Sequence, residues 1–317
     1  MQLDHLFNTM RACRASLIAA LVLLGIGTAG ADNFFDNTVS GVNLGNASGG
    51  NTGNHRNWAI FALSGGVTIT DPSDNGSYDV LGNVGVAGAG NLTLSLSHIK
   101  GYAQLDSGTW NGGGTITGGT TTGNGAYLNQ GVNDANLAAS TAAGLPTNTG
   151  TGASALTFSG AYTSLPSAIS LNNTAATITA PQTVSGNPNS TTYVLNLADL
   201  IMSGAGAVLT LSGPNTANFV VNVNRYMTLG SQASIALSGG LTPQNVLFNV
   251  KDNSLAAGGT GTNYDVTMSG ASTVNGIILA TKRNVKLTGN SIVTGEVIAK
   301  SVSLSGRSEV NNPLVSP

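Results

Sequence analysis

The segment Asp265-Val-Thr-Met-Ser-Gly270 is followed by two close copies, Asn284-Val-Lys-Leu-Thr-Gly289 and Ser301-Val-Ser-Leu-Ser-Gly306. After each glycine the chain continues as x-Ser-x-Val, so the shared pattern is x-Val-x-Met/Leu-Ser/Thr-Gly-x-Ser-x-Val. The copies begin 19 and then 17 residues apart. Apolar residues alternate within each copy, which is the period of a strand with one buried face. The glycine then ends the strand.

A second short apolar segment follows in two of the copies, at Gly276-Ile-Ile-Leu-Ala280 and Gly295-Glu-Val-Ile-Ala299. A repeat of this length holds two or three short strands separated by Gly or Asn corners. One coil of a β-solenoid needs this arrangement, because each coil buries its inward side chains only against the coils above and below it. The pattern therefore predicts a mainly β fold, a β-solenoid.

Earlier parts of the chain show the same alternation with less regularity. Strand-like segments lie at 208–213, 234–239 and 91–97, and more apolar ones at 218–224 and 244–250. Near the start, the segments 58–63 and 82–86 open the same architecture. We therefore expect a single solenoid domain over residues 32–317.

One segment departs from the strand pattern. From Ala126 to Ala143 apolar residues recur every three or four positions, and Gly144 and Pro146 follow them; these apolar residues are Leu128, Val132, Ala135, Ala139 and Ala142. This spacing predicts one α-helix near 126–143 whose narrow alanine face packs along a flank of the solenoid. The runs 112–125 and 147–154 are rich in Gly and Thr and are expected to be its connecting loops.

The first 31 residues have the features of a secretory signal peptide. Arg11 and Arg14 precede an apolar run at 17–26, and cleavage after Ala31 fits the small-residue pattern of a processing site. The run is short for a membrane span, and no later stretch is long enough for one. We expect a secreted or cell-surface protein. Cys13, the only cysteine, lies within the signal, so we expect no disulfide or thiol chemistry in the mature chain.

Only 8% of the residues are charged, while 44 are glycine. A typical soluble domain has about 25% charged residues, so this chain is polar with little charge. The sequence pI is near 5.8, which gives no electrostatic footprint for nucleic acid.

The sequence offers few candidates for catalysis or metal binding. Outside the signal only His55 and His98 remain, and a zinc site built from several His and Cys ligands is therefore excluded. His98 is expected to be an outward-facing strand residue. A glycosidase needs a pair of carboxylates, but Asp71, Asp74 and Asp79 occur in a turn-rich segment where Asp caps the backbone. We expect no catalytic residues, no metal and no cofactor.

Lys282, Arg283 and Lys286 form a basic cluster. Two interpretations are open. In the first, these residues face a ligand, with Glu296 opposite. In the second, they are solvated residues on an exposed edge, where they discourage the pairing of strands between molecules. The second interpretation is favoured.

Three Thr-x-Thr elements supply the candidate binding residues: Thr68 and Thr70, Thr115 and Thr117, and Thr177 and Thr179. On a flat solenoid face such pairs place hydroxyl and methyl groups at regular spacings. The alternative is ordinary β-propensity, since Thr is favoured on the exposed face of any strand.

Together these features resemble two related groups of secreted proteins, the bacterial choice-of-anchor A domains and the ice-binding-protein-like family. The residues that carry the resemblance are the signal, the mid-chain helix and the segments 57–63, 80–86, 274–280 and 293–299. The resemblance implies a right-handed β-solenoid with a helix alongside, on the cell surface or in the matrix. Members of the first group usually have a C-terminal sorting signal, whereas residues 311–317 show no apolar tail. Members of the second group bind ice through a flat face.

We therefore expect a non-enzymatic structural or adhesive protein that binds through a rigid, uncharged solenoid face. Its partner would be a matrix or cell-surface polysaccharide or protein. The alternative is an ice-binding protein that uses a flat Thr-rich face.

Overall fold

The computed structural model describes residues 58–71, 77–147, 156–181, 191–251 and 264–313, together with the backbone of two short strands before them. Residues 33–317 form one compact unit. The signal segment, His55, Asp74 and all of 148–155 lie outside the described residues.

The first half of the chain forms these strands: β1 (Thr38–Val39), β2 (Val42–Asn43), β3 (Trp58–Ala62), β4 (Val67–Thr70), β5 (Val80–Leu81), β6 (Asn83–Val86), β7 (Leu92–Ser95), β8 (His98–Lys100), β9 (Ala103–Leu105), β10 (Trp110–Gly112), β11 (Thr115–Ile116) and β12 (Thr120–Thr122). The α-helix α1 spans Gly125–Gly144. After it come β13 (Thr157–Gly160), β14 (Ile169–Asn172), β15 (Ala175–Thr179), β16 (Thr191–Leu197), β17 (Leu200–Ser203), β18 (Val208–Ser212), β19 (Ala217–Val223), β20 (Met227–Gly230), β21 (Ser234–Ser238), the 3-10 helix Pro243–Asn245, β22 (Val246–Val250), β23 (Val266–Met268), β24 (Thr273–Leu287), β25 (Ile292–Ser305) and β26 (Glu309–Asn311).

Most strands stack in parallel into three sheets, one for each side of a solenoid coil. The exceptions are β1 and β2, which pair antiparallel with each other, and β13, which pairs antiparallel with β15. Sheet 1 contains, in stacking order, β16, β19, β22, β24, β25, β3, β6, β9 and β12. Sheet 2 contains β14, β17, β20, β23, β24, β25, β4, β7 and β10. Sheet 3 contains β15, β18, β21, β24, β25, β26, β5, β8 and β11. The long strands β24 and β25 turn through two corners and so contribute to all three sheets. The predicted mainly β solenoid is confirmed.

The register of the strands shows that the sequence repeat is one coil. Val285 pairs with Val266 on one side and with Val302 on the other. In the same way Val293 pairs with Val274 and Val310. These valines are buried in the interior of the solenoid, where coil stacks upon coil.

The corner between sheets 2 and 3 explains the glycine and the serine of the repeat. Gly289 has a φ of 63° and Asn290 a φ of 66°, a left-handed conformation that glycine adopts without strain. The buried Ser291 follows, and its Oγ donates to the carbonyl of Thr288 at 2.7 Å. The same Oγ lies 3.2 Å from Oγ of Ser272 in the neighbouring coil. The serine thus bonds polar groups that the sharp turn would otherwise leave unpaired in the interior.

The order of the coils differs from the order of the sequence. The segments 58–63 and 82–86 were expected to open the solenoid, yet they stack beyond the C-terminal coils. Val67 of β4 pairs with Val302, and Val80 of β5 pairs with Val310. The helix α1, about 30 Å long, connects the coil that ends in β12 to the coil of β14 to β16 at the other end of the stack.

The helix packs on the outer surface of sheet 1, close to its predicted limits. It buries small residues and one leucine: Leu128, Gly131, Ala135, Ala138 and Ala142. These contact outward apolar residues of the sheet, among them Val220, Leu247 and Ile277. Small side chains let the helix approach the sheet closely, as the alanine face predicted.

The prediction that residues 112–125 form a loop was wrong. This segment contains β11 and β12, which complete the last coil of the stack. Most of its side chains are exposed. Because this coil has a neighbour on one side only, it is held by backbone pairing to β8 and β9 and needs no alternating apolar pattern.

Candidate functional site

Of the three sheets, sheet 2 presents an outer surface of small hydroxyl residues that α1 does not cover. In β4, Val67 and Ile69 point into the core while Thr68 and Thr70 are exposed. The same alternation recurs in every coil except the last, where all of β10 is exposed, so the outward residues form two columns that cross the strands. The binding surface is therefore defined by strand register as well as by residue type.

The first column consists of Ser170, Ile201, Thr228, Thr267, Lys286, Ser303, Thr68, Thr93 and Asn111. The second column lies two residues further along each strand and contains Asn172, Ser203, Gly230, Ser269, Thr288, Ser305, Thr70 and Ser95. Neighbouring side chains in a column are about 4.8 Å apart, and the columns are separated by roughly 6.6 Å. Thr267 Oγ1 lies 3.3 Å from Thr228 Oγ1, within hydrogen-bond distance.

Three adjacent strands carry an uninterrupted part of this surface, which we call the hydroxyl array: Ser303, Ser305, Thr68, Thr70, Thr93 and Ser95. It contains no charged or large side chain. Towards the other end of the sheet the surface is interrupted by Lys286, whose Nζ lies 2.5 Å from Oδ2 of Asp265.

The outward positions of sheet 3 are less uniform. Asp79, His98, Lys100 and Glu309 occupy four of them, and most are half-buried. The Nζ of Lys100 lies 5.8 Å from the centre of the Tyr78 ring. Charged and aromatic groups therefore break any regular hydroxyl pattern on this sheet.

The six predicted threonines do not share one surface. Thr68 and Thr70 lie on sheet 2, within the hydroxyl array. The remaining four lie on sheet 3 at opposite ends of the solenoid: Thr115 and Thr117 in and just after β11, and Thr177 and Thr179 in β15. Sequence analysis missed four members of the array, Ser303, Ser305, Thr93 and Ser95. These four residues occupy the polar positions between the apolar ones of their strands, and that alternation was visible in the sequence.

The carboxylate of Asp79 serves the backbone, as the turn interpretation predicted. Its Oδ2 accepts a hydrogen bond of 2.8 Å from the backbone N–H of His98 in the next coil. Burial raises the pKa of the Asp79 carboxyl above its usual range, although the hydrogen bond from His98 opposes this. His98 is a half-buried, outward-facing strand residue, as predicted.

The basic cluster is not a set of solvated edge residues, because Arg283 is buried. Its guanidinium donates to three backbone carbonyls at the corner between sheets 1 and 2: Asn224 at 2.9 Å, Tyr264 at 3.2 Å, and Arg225. Sequence reasoning missed this role because the carbonyls belong to distant residues. Nor does Glu296 face the cluster. It is buried in sheet 1, where Asn312 Nδ2 lies 3.4 Å from its Oε1.

Within the ranges that the structure describes, no three His, Cys, Asp or Glu side chains come together in a way that could hold a metal ion. Over the same ranges, no helix has both the length and the apolar character to cross a bilayer.

Residues 34–312 match the protein family described as "Putative Ice-binding-like adhesive domain". The chain belongs to this family. The match spans nearly the whole solenoid, and the resemblance to ice-binding-like proteins is confirmed. A search of curated proteins found no match.

Several solved structures are similar in fold. A glycosylated ice-binding protein from an Arctic yeast is 19% identical, with a TM-score of 0.49, and the alignment covers 82% of this chain and 93% of that one. An ice-binding protein from the Antarctic ascomycete Antarctomyces psychrotrophicus is 16% identical, with a TM-score of 0.48, and the alignment covers 82% of this chain and 95% of that one. An ice-binding protein domain from Shewanella frigidimarina is 16% identical, with a TM-score of 0.45, and the alignment covers 81% of this chain and 94% of that one.

Proposed function

We propose that this chain is a non-enzymatic adhesive protein of the cell surface or matrix and that it binds its ligand through sheet 2. The observation that carries the proposal is the pair of in-register columns on sheet 2, which consist mostly of small hydroxyl side chains and which α1 does not cover. Family membership supports an adhesive or ice-binding role.

The chemistry of the surface suits a ligand rich in hydroxyl groups, such as a polysaccharide. Hydroxyls both donate and accept hydrogen bonds, and they cost far less to desolvate than charged groups do. Because the side chains are short and the strands are paired on both sides, little conformational freedom is lost on binding. Many weak contacts across a rigid sheet then add up to firm attachment.

The ion pair of Lys286 and Asp265 favours a polysaccharide over ice as the ligand. It lies on the central part of sheet 2, with a separation of 2.5 Å, and the Lys286 side chain is half exposed. Charged groups orient water strongly around themselves and so disturb an ordered water layer. A polysaccharide, in contrast, offers hydroxyls that accept hydrogen bonds from the ammonium.

Ice binding is the second candidate, and the hydroxyl array favours it. On β25, β4 and β7 the outward residues pair in register, Ser303 with Thr68 and Thr68 with Thr93. Threonine supplies a methyl group beside each hydroxyl, and both lie at the regular spacings of a parallel sheet. Such a surface can order water.

The two candidates are separated by measuring thermal hysteresis and ice recrystallisation on the purified protein, alongside its retention on insoluble cellulose, chitin and cell-wall preparations. We expect retention on at least one polysaccharide and no thermal hysteresis. The variant Lys286→Thr extends the uncharged surface of sheet 2. Clear thermal hysteresis in the parent protein, together with stronger ice shaping in this variant, would make ice binding the first candidate.

The proposal that the chain is not an enzyme is tested with the same preparations. We expect no release of soluble sugar from pectins or from β-linked glycans such as chitin and cellulose. Reproducible turnover that is lost on substitution of Glu296 or Asp265 overturns it.

A further inference from the structure

Basic residues are concentrated at one corner of the solenoid. The sequence contains 11 Lys and Arg residues, and six of them lie at or beside the corner where sheet 1 turns into sheet 2: Arg225, Lys251, Lys282, Arg283, Lys286 and Lys300. In a chain with so few charges, this concentration gives one edge a positive character that the net charge of −2 conceals.

Four of the six already have structural partners, and for one of these, Lys251, the partner is a single backbone carbonyl. Arg283 bonds to backbone carbonyls, Arg225 pairs with Asp199 at 2.5 Å, and Lys286 pairs with Asp265. Among the described residues no carboxylate lies within ion-pair distance of Lys251 or Lys282. Within the described part of the chain, an ion pair therefore neutralises neither ammonium group.

Lys251 and Lys282 line the same cavity, which lies between the C-terminal half of α1 and the edge of sheet 1. The cavity has a volume of about 500 Å³ and is lined by Asn136, Ala139, Ser140, Ala143, Asn249, Val250, Lys251, Thr281 and Lys282. This volume is in the range of small-ligand sites. Among the described residues, the lining combines two ammonium groups with amides and hydroxyls and includes no carboxylate.

The ammonium of Lys251 is held in place within this cavity. Its Nζ donates to the carbonyl of Ala143, near the end of α1, at 3.3 Å. Burial lowers the pKa of the Lys251 ammonium below its usual value. A neighbouring anion offsets this penalty, so the site favours a ligand with negative charge.

We infer that this cavity binds an acidic sugar unit of a polysaccharide. Its carboxylate or sulfate contacts the ammonium groups of Lys251 and Lys282, and its hydroxyls bond to polar groups such as Asn136, Ser140 and Thr281. The size of this partly open cavity suits one sugar unit and its substituent, whereas a nucleic acid needs a longer basic track. The site is separate from sheet 2, and its failure would leave the proposed function of that sheet intact.

The inference is tested by calorimetry with the purified protein at low and high salt. The probes are polygalacturonate, which carries carboxylates, and dextran sulfate, with fully methyl-esterified pectin, dextran and duplex DNA for comparison. We expect binding of at least one acidic polysaccharide, and the preferred probe identifies the anion. We expect no binding of the neutral polymers, weaker binding as salt rises, and little binding of DNA.

Two kinds of variant locate the binding. Lys251→Gln combined with Lys282→Gln should weaken binding by at least about ten-fold. Ser140→Tyr, which fills the cavity without changing charge, should weaken it as well. Lys100→Gln on sheet 3 removes the same charge elsewhere and should leave affinity unchanged. Because Lys251 also contacts α1, the Lys282→Gln and Ser140→Tyr single variants serve if the double variant is unstable.

Absence of binding to both acidic probes overturns the inference. So does equal binding of the methyl-esterified pectin or of DNA, and so does unchanged affinity in the cavity variants.

Discussion

The side-chain amide of Asn222 in sheet 1 donates a hydrogen bond of 2.7 Å to the carbonyl of Ala142, in the last turn of α1. Asn249, on the neighbouring strand, donates to the carbonyl of Ala139 at 3.1 Å. The two asparagines are also joined, since Asn249 Nδ2 donates to Asn222 Oδ1 at 2.7 Å. The last turn of α1 contains no basic residue of its own. The sheet therefore supplies the donors that the carbonyls at a helix end require.

Replacing Asn222 should consequently loosen the helix from the sheet. Asn222→Leu removes the side-chain donor to the carbonyl of Ala142, which keeps only the longer bond of 3.3 Å from the backbone N–H of Leu145, and it breaks the contact with Asn249. We expect the free energy of unfolding to fall by about 2–3 kcal/mol, measured by urea denaturation. Asn172→Leu, at an exposed position of sheet 2, is the matched control and should change it by no more than about 0.5 kcal/mol. Equal effects of the two substitutions would contradict this role.

The corner serine Ser291 should be more important for stability than the exposed serines. It is fully buried and bonds to Thr288 at 2.7 Å. Ser291→Ala should lower the free energy of unfolding by about 1–2 kcal/mol. Ser303→Ala, on the outer surface of sheet 2, should have almost no effect. A neutral result for Ser291→Ala would mean that the serine is not needed at the corner.

Asp79 should make stability depend on pH. Burial raises the pKa of its carboxyl above the ordinary value of 3.8, so the folded state holds this proton to higher pH than the unfolded state does. The stabilisation that the protonated form provides is complete below pH 3.8 and is lost as pH rises through the folded pKa.

Asp79→Asn keeps an oxygen that can accept from His98 but carries no charge. Relative to the parent, this variant should therefore be more stable at pH 7, and the difference should shrink as the pH falls through the folded pKa towards 3.8 and change no further below it. Thermal melting at several pH values measures it. Asp199→Asn, which removes the carboxylate that binds Arg225, should give no gain at either pH. A loss of stability at pH 7 in Asp79→Asn would show that the buried charge is well compensated.

The sequence predicted the coil because the requirement for buried side chains at every second position is local. The repeat around Val266, Val285 and Val302 therefore appears directly as strand register. The order of the coils was not predictable in this way. Val67 and Val302 are far apart in sequence, and no local pattern records that their strands pair.

The candidate binding surface was predicted only in part, for the same reason. Thr68 and Thr70 stand out in the sequence as a Thr-x-Thr element. Their neighbours Ser303 and Thr93 become part of the same surface only through strand register. Thr177 resembles Thr68 in sequence context but lies on sheet 3, because which side of a coil a strand forms depends on where the chain turns.

Binding by sheet 2 is the central claim. It is tested most directly by placing a bulky side chain at two positions of sheet 2 and, as a control, at one position of sheet 3. The variants Thr68→Tyr and Thr93→Tyr obstruct the hydroxyl array, while Thr177→Tyr makes the same kind of change on sheet 3. Retention on the polysaccharide that the parent protein binds is compared for all three. The account predicts that both sheet 2 variants lose binding by about ten-fold or more while Thr177→Tyr binds like the parent. Full retention of Thr68→Tyr and Thr93→Tyr together with loss in Thr177→Tyr would contradict it and assign the binding surface to sheet 3.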